Sequence, residues 1–128
     1  MTPEATAFLE KARRFQEKAR DMLAHWPDEA GRASYLTAFH AAQALILERT
    51  GEAPKTHRGV HAQFARLTRE AGIAPELRSF LSQAYAMKAS ADYEIGTDGG
   101  ITMAAAEQAI EMAARLLAWV AAELASPR

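Results

Sequence analysis

Between Tyr35 and Leu47 the chain is apolar almost all the way round a helical wheel, and that stretch narrows the folds open to it. Tyr35, Ala38, Phe39, Ala42, Leu45 and Ile46 follow helical spacing on one face, while Leu36, Ala41, Ala44 and Leu47 fill much of the rest. A helix apolar on one stripe lies on a core, whereas one apolar nearly all round is enclosed by neighbours. The stretch therefore predicts a central helix, from about Glu29 to Arg49, inside a bundle. Thr50-Gly51 ends it, because glycine readily supplies the left-handed C-terminal turn.

The flanking segments supply the neighbours. Thr2-Pro3 opens a first helix, with threonine as cap and proline at the first helical position, where its missing N–H costs nothing. Phe8, Ala12, Phe15, Ala19, Met22 and Trp26 form its stripe; Lys11, Arg13, Arg14, Glu17 and Lys18 form a solvated face. Pro27-Asp28 stops it, and Asp28 is set to cap the central helix. Thr56 caps a third, shorter helix carrying Val60, Phe64, Leu67 and Ala71, closed by Gly72. Pro75 opens a fourth, buried through Leu77, Leu81, Ala84, Met87 and Ala91. The glycine-rich run 94–100 is a loop. A fifth helix follows from Thr102, with Met103, Ala106, Ile110, Ala113, Leu117, Val120 and Leu124 on one stripe. No strand-like alternation or interdomain linker interrupts this pattern. The expectation is one all-α domain over residues 1–128, an antiparallel up-and-down bundle of four main helices with a shorter helix making five.

Composition removes several function classes. Fifteen Lys and Arg against sixteen Asp and Glu leave a formal charge of −1, unlike the strongly basic balance of proteins that live on nucleic acid. The absence of cysteine excludes disulfides, thiolate chemistry and cysteine–zinc sites. The N-terminus has no apolar core of a signal peptide, and no run approaches the ~20 apolar residues of a membrane span. A cytoplasmic protein with no membrane partner and no cofactor is expected.

The polar residues of interest gather at helix ends. Antiparallel order would bring the end of helix two, the start of helix three, the end of helix four and the start of helix five to one end of the bundle. That end collects Lys55, His57, Arg58, Asp92, Tyr93 and the 94–100 loop, beside free N–H groups that carry positive partial charge. It reads as a ligand site for an anion or phosphate. On the same reading Arg32 and Tyr35 lie ~30 Å away, at the far end of helix two. Each group also has a plainer role. Lys55 and Arg58 flank a helix start as solvated cations. His57 serves either as a ligand contact or as a clasp to Asp92 or a backbone carbonyl. Asp92-Tyr93 ends a helix, where a tyrosine ring packs locally. His40, within the apolar helix two, is expected to be a satisfied core or interface histidine. His57 and His61 share metal-ligand spacing, yet no third ligand is evident, so no metal is expected.

The segments Arg32-Ala-Ser-Tyr-Leu-Thr-Ala-Phe-His40-Ala-Ala, Lys55-Thr-His-Arg-Gly and Ala91-Asp92-Tyr93 together resemble the HEPN domain family, closest to its small stand-alone prokaryotic members. The likeness covers most of the chain in element order and spacing. It implies a helical module that forms homodimers, binds a nucleotide or RNA, and pairs with a small nucleotidyltransferase, in toxin–antitoxin-type units. Many HEPN ribonucleases carry an arginine followed four to six residues later by a histidine. Such chemistry needs a base for the ribose 2′-hydroxyl and a cation for the developing phosphorane charge. Here only Arg20 and His25 have that spacing, on helix one rather than a later helix; Arg58 to His61 is too close and Arg49 to His57 too far. No catalytic residue is assigned. The expectation is a non-catalytic or weakly catalytic binding module, with a ribonuclease of divergent site and a structural scaffold as alternatives. Leu36 and Leu47 exceed what a four-helix core needs, which favours dimerisation through helix two.

Overall fold

The computed structural model describes residues 1–93 and 100–126. The segment 94–99, most of the glycine-rich loop expected from the sequence, lies outside the described residues. The described residues hold five α-helices and no strand: α1 (Pro3–Met22), α2 (Pro27–Thr50), α3 (His57–Thr68), α4 (Pro75–Tyr93) and α5 (Met103–Ala125).

Local chemistry accounts for the helix ends. Thr2, Thr56 and Thr102 sit in extended backbone, and each side-chain oxygen accepts an N–H three residues on, from Ala5, Gly59 and Ala105. Such a cap is worth ~1 kcal/mol. Pro3, Pro27 and Pro75 each occupy the first helical position. Gly51 ends α2 at φ 85°, where a β-carbon would be strained, and its N–H bonds to the Leu47 carbonyl.

The central helix is α2. From Ala30 to Ile46 every residue is buried except the half-buried Arg32 and Leu36, and α2 touches all four other helices. The girdle seen in the sequence is thus covered mainly by the chain's own helices, leaving Leu36 and Leu47 half-buried. The four long helices alternate in direction. Thr2 reaches Glu48, so α1 runs antiparallel to α2. Asp28 meets Ile101 and Arg49 meets Glu123, so α5 runs parallel to α2. Arg32 meets Asp92, which sets α4 antiparallel to α2.

Two details of α1 depart from the sequence stripe. Ala5, Ala12 and Ala19, one every two turns, have no exposure, so the alanines mark the closest approach to the neighbouring helices. Phe8 and Phe15 then fall at the edge of that contact, half-buried, while Leu9 and Gln16 go inside. Trp26 lies beyond the helix, 61% exposed, because α1 stops at Met22 and the chain turns before it. Asp28 does not cap α2; its carboxylate accepts the backbone N–H of Ile101 and so fastens the entry of α5 to the start of α2.

The largest departure concerns α3. Instead of turning at the end of α2, residues 51–56 fold back along it, and the Gln43 side-chain amide donates to the Pro54 carbonyl at 3.0 Å. Six extended residues reach ~20 Å. The helical rise from Tyr35–Phe39 to Thr50 is also ~20 Å. The segment therefore delivers His57 to the level of Tyr35 and Phe39, whose rings lie 5.5 and 4.9 Å from the imidazole. From there α3 runs in the same sense as α2, ending where Leu45, Arg49, Leu67 and Arg69 line one cleft.

Candidate functional site

Tyr35 is the largest side chain with no exposure, and its hydroxyl needs partners, since an unmet buried donor or acceptor costs ~1–3 kcal/mol. Two histidines supply them. His57 Nδ1 lies 2.6 Å and His61 Nε2 2.9 Å from the same oxygen. Spacing of four residues puts both imidazoles on one face of α3, the face turned to α2. The ring of Tyr85, from α4, closes the group at 5.0 Å from His57 and 5.3 Å from both His61 and Tyr35. Three helices thus build one cluster of two phenols and two imidazoles, with Phe39 against His57.

The electrostatics of the cluster favour neutral forms. Burial pushes the Tyr35 phenol well above its usual range, helped by the nearby Tyr85, so Tyr35 remains a hydrogen-bonding alcohol. Burial lowers the pKa of His57, and the Lys88 charge lowers it further. His61 is lowered by burial and then by His57. Both imidazoles are therefore neutral at pH 7. The cluster stops short of enclosure, because His57 is half-buried and Tyr85 is 36% exposed. His57 uses Nδ1 towards the core, and its Nε2 edge has no hydrogen bond among the described residues.

Lys88 is the cation whose charge reaches His57. Lys55 and Arg58 are exposed on either side of His57 and form no ion pair among the described residues. Lys88 approaches from α4, its ammonium 2.8 Å from Asp92. Asp92 also accepts Arg32 Nε at 2.6 Å, and Arg32 pairs with Glu29 as well. Lys88 first and Arg32 second hold the Asp92 carboxyl below its usual range.

The five residues singled out in the sequence therefore divide. His57 is tied into the core of the cluster, though its clasp is Tyr35 and not Asp92. Lys55 and Arg58 are exposed neighbours of His57 along the chain. Asp92 belongs to an adjoining charged network, and Tyr93 is 86% exposed beyond it. Arg32 and Tyr35 are not ~30 Å away but in contact with Asp92 and His57. The reason is the folded-back segment: α3 shares the direction of α2, so the end of α4 meets the start of α2. Sequence reasoning missed Tyr35, Tyr85 and Lys88 as site residues and read His61 only as a metal-spaced histidine. The available signal was the pair His57 and His61 on one helical face, opposite the one tyrosine of the apolar helix. Gly100, the described residue of the predicted loop, packs on Asp28 away from this cluster.

Among the described residues no group of three potential ligands could hold a metal ion, and no helix is long and apolar enough to cross a membrane. Arg20 ends α1 and His25 is exposed in the turn beyond, 5.7 Å from the Trp26 ring. His40 is buried, bonded through Nδ1 to Gln43 at 2.8 Å and stacked on Phe15.

The model of the HEPN domain family matches residues 5–124. Among solved structures, the crystal structure of TT1696 from Thermus thermophilus is similar with a TM-score of 0.73 and 24% identity. The match covers 94% of this chain and 98% of that one, and at this identity it establishes the fold alone. No curated protein matches.

Proposed function

The chain belongs to the HEPN domain family, and on that premise we propose that it is a binding module whose ligand is a phosphate-bearing molecule, a nucleotide or RNA. The observation that carries this reading is the Tyr35 hydroxyl held by both His57 and His61 behind an open imidazole edge. Lys88 brings positive charge to His57, the exposed Lys55 and Arg58 flank it in the chain, and the first N–H groups of α3 add to it. Tyr85 and His57 offer ring faces on which a base stacks. The remaining parts of the reading are a homodimer and a small nucleotidyltransferase as partner, in a toxin–antitoxin-type unit. Half-buried Leu36 and Leu47 are the available apolar contacts for the dimer.

Titration of ATP and of a short RNA against the purified protein tests the site. His57→Ala and Arg58→Ala retain the fold and lose at least tenfold in affinity; unchanged affinity in both would remove the site. For the dimer, Leu47→Glu yields monomers by solution mass, and an unchanged mass with the fold intact counts against it.

A second reading, metal-independent RNA cleavage, has one observation in its favour. An imidazole oriented by a buried third group, with cations beside it, is an arrangement suited to general-base chemistry. RNA integrity after incubation, beside His57→Ala and His25→Ala variants, separates it from binding alone: cleavage abolished by His57→Ala supports it, and intact RNA over a range of pH rejects it.

A further inference from the structure

The Tyr35 hydroxyl has one proton and two acceptor lone pairs, and it faces one nitrogen from each of two imidazoles. That count restricts the proton states the cluster accepts. With both histidines neutral, the hydroxyl donates to one nitrogen and accepts from the N–H of the other, and all three groups are satisfied. When His57 is protonated, its Nδ1–H donates to the Tyr35 oxygen. The phenolic proton then turns to His61 Nε2, and neutral His61 carries its own proton on Nδ1. All three groups remain satisfied. A second proton has no such arrangement. Both imidazolium N–H groups would point at one oxygen, the phenolic proton would lose both its acceptors, and two positive charges would share one hydroxyl.

We infer that anion binding at the His57 edge is coupled to the uptake of one proton, with Tyr35 barring a second. This rests on the reading of the cluster as an anion site and adds its regulation. The surroundings reinforce it. Tyr35 and Phe39 face the imidazoles from α2, and Tyr85 and Lys88 face them from α4. Lys55 and Arg58 flank His57 in sequence. The Asp92 carboxylate next to Lys88 is already held by Lys88 and Arg32. Among the described residues no charged side chain of α1 or α5 bonds into the cluster. An imidazolium here has no resident counter-ion, so a bound anion supplies it, and in turn the proton strengthens anion binding.

Sulfate is the suitable probe, since it stays dianionic across the histidine range. Isothermal titration of sulfate over about pH 5 to 8 reads the coupling. One proton taken up on binding tightens sulfate ~10-fold per pH unit lowered, and two protons ~100-fold. The expected wild-type slope approaches one and never exceeds it. In Tyr35→Phe the shared hydroxyl no longer bars the second proton, only the direct repulsion between the two imidazoles remains, and the slope rises above one within this range. A pH-independent affinity overturns the coupling alone. A wild-type slope of two, or a slope of one kept by a folded Tyr35→Phe, overturns the role of Tyr35. Absence of sulfate binding at every pH overturns the anion site and the coupling together. Should Tyr35→Phe fail to fold, imidazole proton NMR of the unaltered protein decides. One histidine titrating while the other stays neutral supports the one-proton rule, and two independent full titrations reject it.

Discussion

His40 lies on α2 and the His57–His61 pair packs against the same helix, yet the fold treats them oppositely. His40 is closed in. Its Nδ1 bonds Gln43, its ring lies between Phe15 and Phe39, and Gln43 goes on to hold Pro54. His57 and His61 converge on Tyr35 from outside α2 and leave an imidazole edge open, with the Lys88 charge nearby. Burial lowers the pKa in every case. What separates the regions is enclosure: His40 is buried against Phe15 and Phe39, while His57 is half-buried with Lys88 nearby. A histidine enclosed in the core is a strut, and one left partly open is available to a ligand. Both sites depend on the same strap, residues 51–56, which Gln43 pins and which leads directly into His57.

The largest expected effect comes from Tyr35→Ala, which opens a cavity and strips both outer histidines of their partner. Stability should fall by ~3–5 kcal/mol in urea denaturation. A loss below ~1 kcal/mol would mean that the cluster is not built around this ring. Next comes the closed site. Gln43→Ala leaves His40 Nδ1 and the Pro54 carbonyl without their partner, for a loss of ~1–3 kcal/mol. In the open site, His57→Ala should cost stability no more than ~1 kcal/mol while abolishing sulfate binding. Equal stability costs for Gln43→Ala and His57→Ala would erase the distinction between strut and ligand contact.

The pH dependence follows from three lowered histidines. Each binds its proton more weakly folded than unfolded, so the unfolded chain takes up more protons as the medium is acidified. Their stabilising contribution is complete above the unfolded value near 6.5 and is lost as pH falls from there through the folded values. Calorimetric Tm should therefore drop between about pH 7 and pH 5, and a flat Tm over that range would contradict the burial of all three. The smallest effect belongs to the surface. Arg32→Ala removes the tie to Asp92 with a loss that vanishes at high salt, and it leaves sulfate binding intact.

Much of this molecule was legible in its residues because the signals are local. Threonine caps at Thr2, Thr56 and Thr102, proline openings and the Gly51 turn depend on a few neighbouring atoms, and each marks a helix end in the structure. The all-round apolar stretch from Tyr35 identifies the enclosed helix because enclosure is the only way to hide every side of it. His57 stood out as a polar residue at a helix start. Its partners did not, because nothing within residues 51–56 says which way an extended segment points.

Helix identity, helix order and the centrality of α2 were thus determined by the sequence itself, through spacing and capping chemistry that act over a turn or two. Tertiary structure alone decided that the strap doubles back on Gln43 instead of turning outwards. Six extended residues can travel either way at similar conformational cost, and packing against α2 chooses between them. That choice moved Tyr35 from one end of a bundle to the centre of the site.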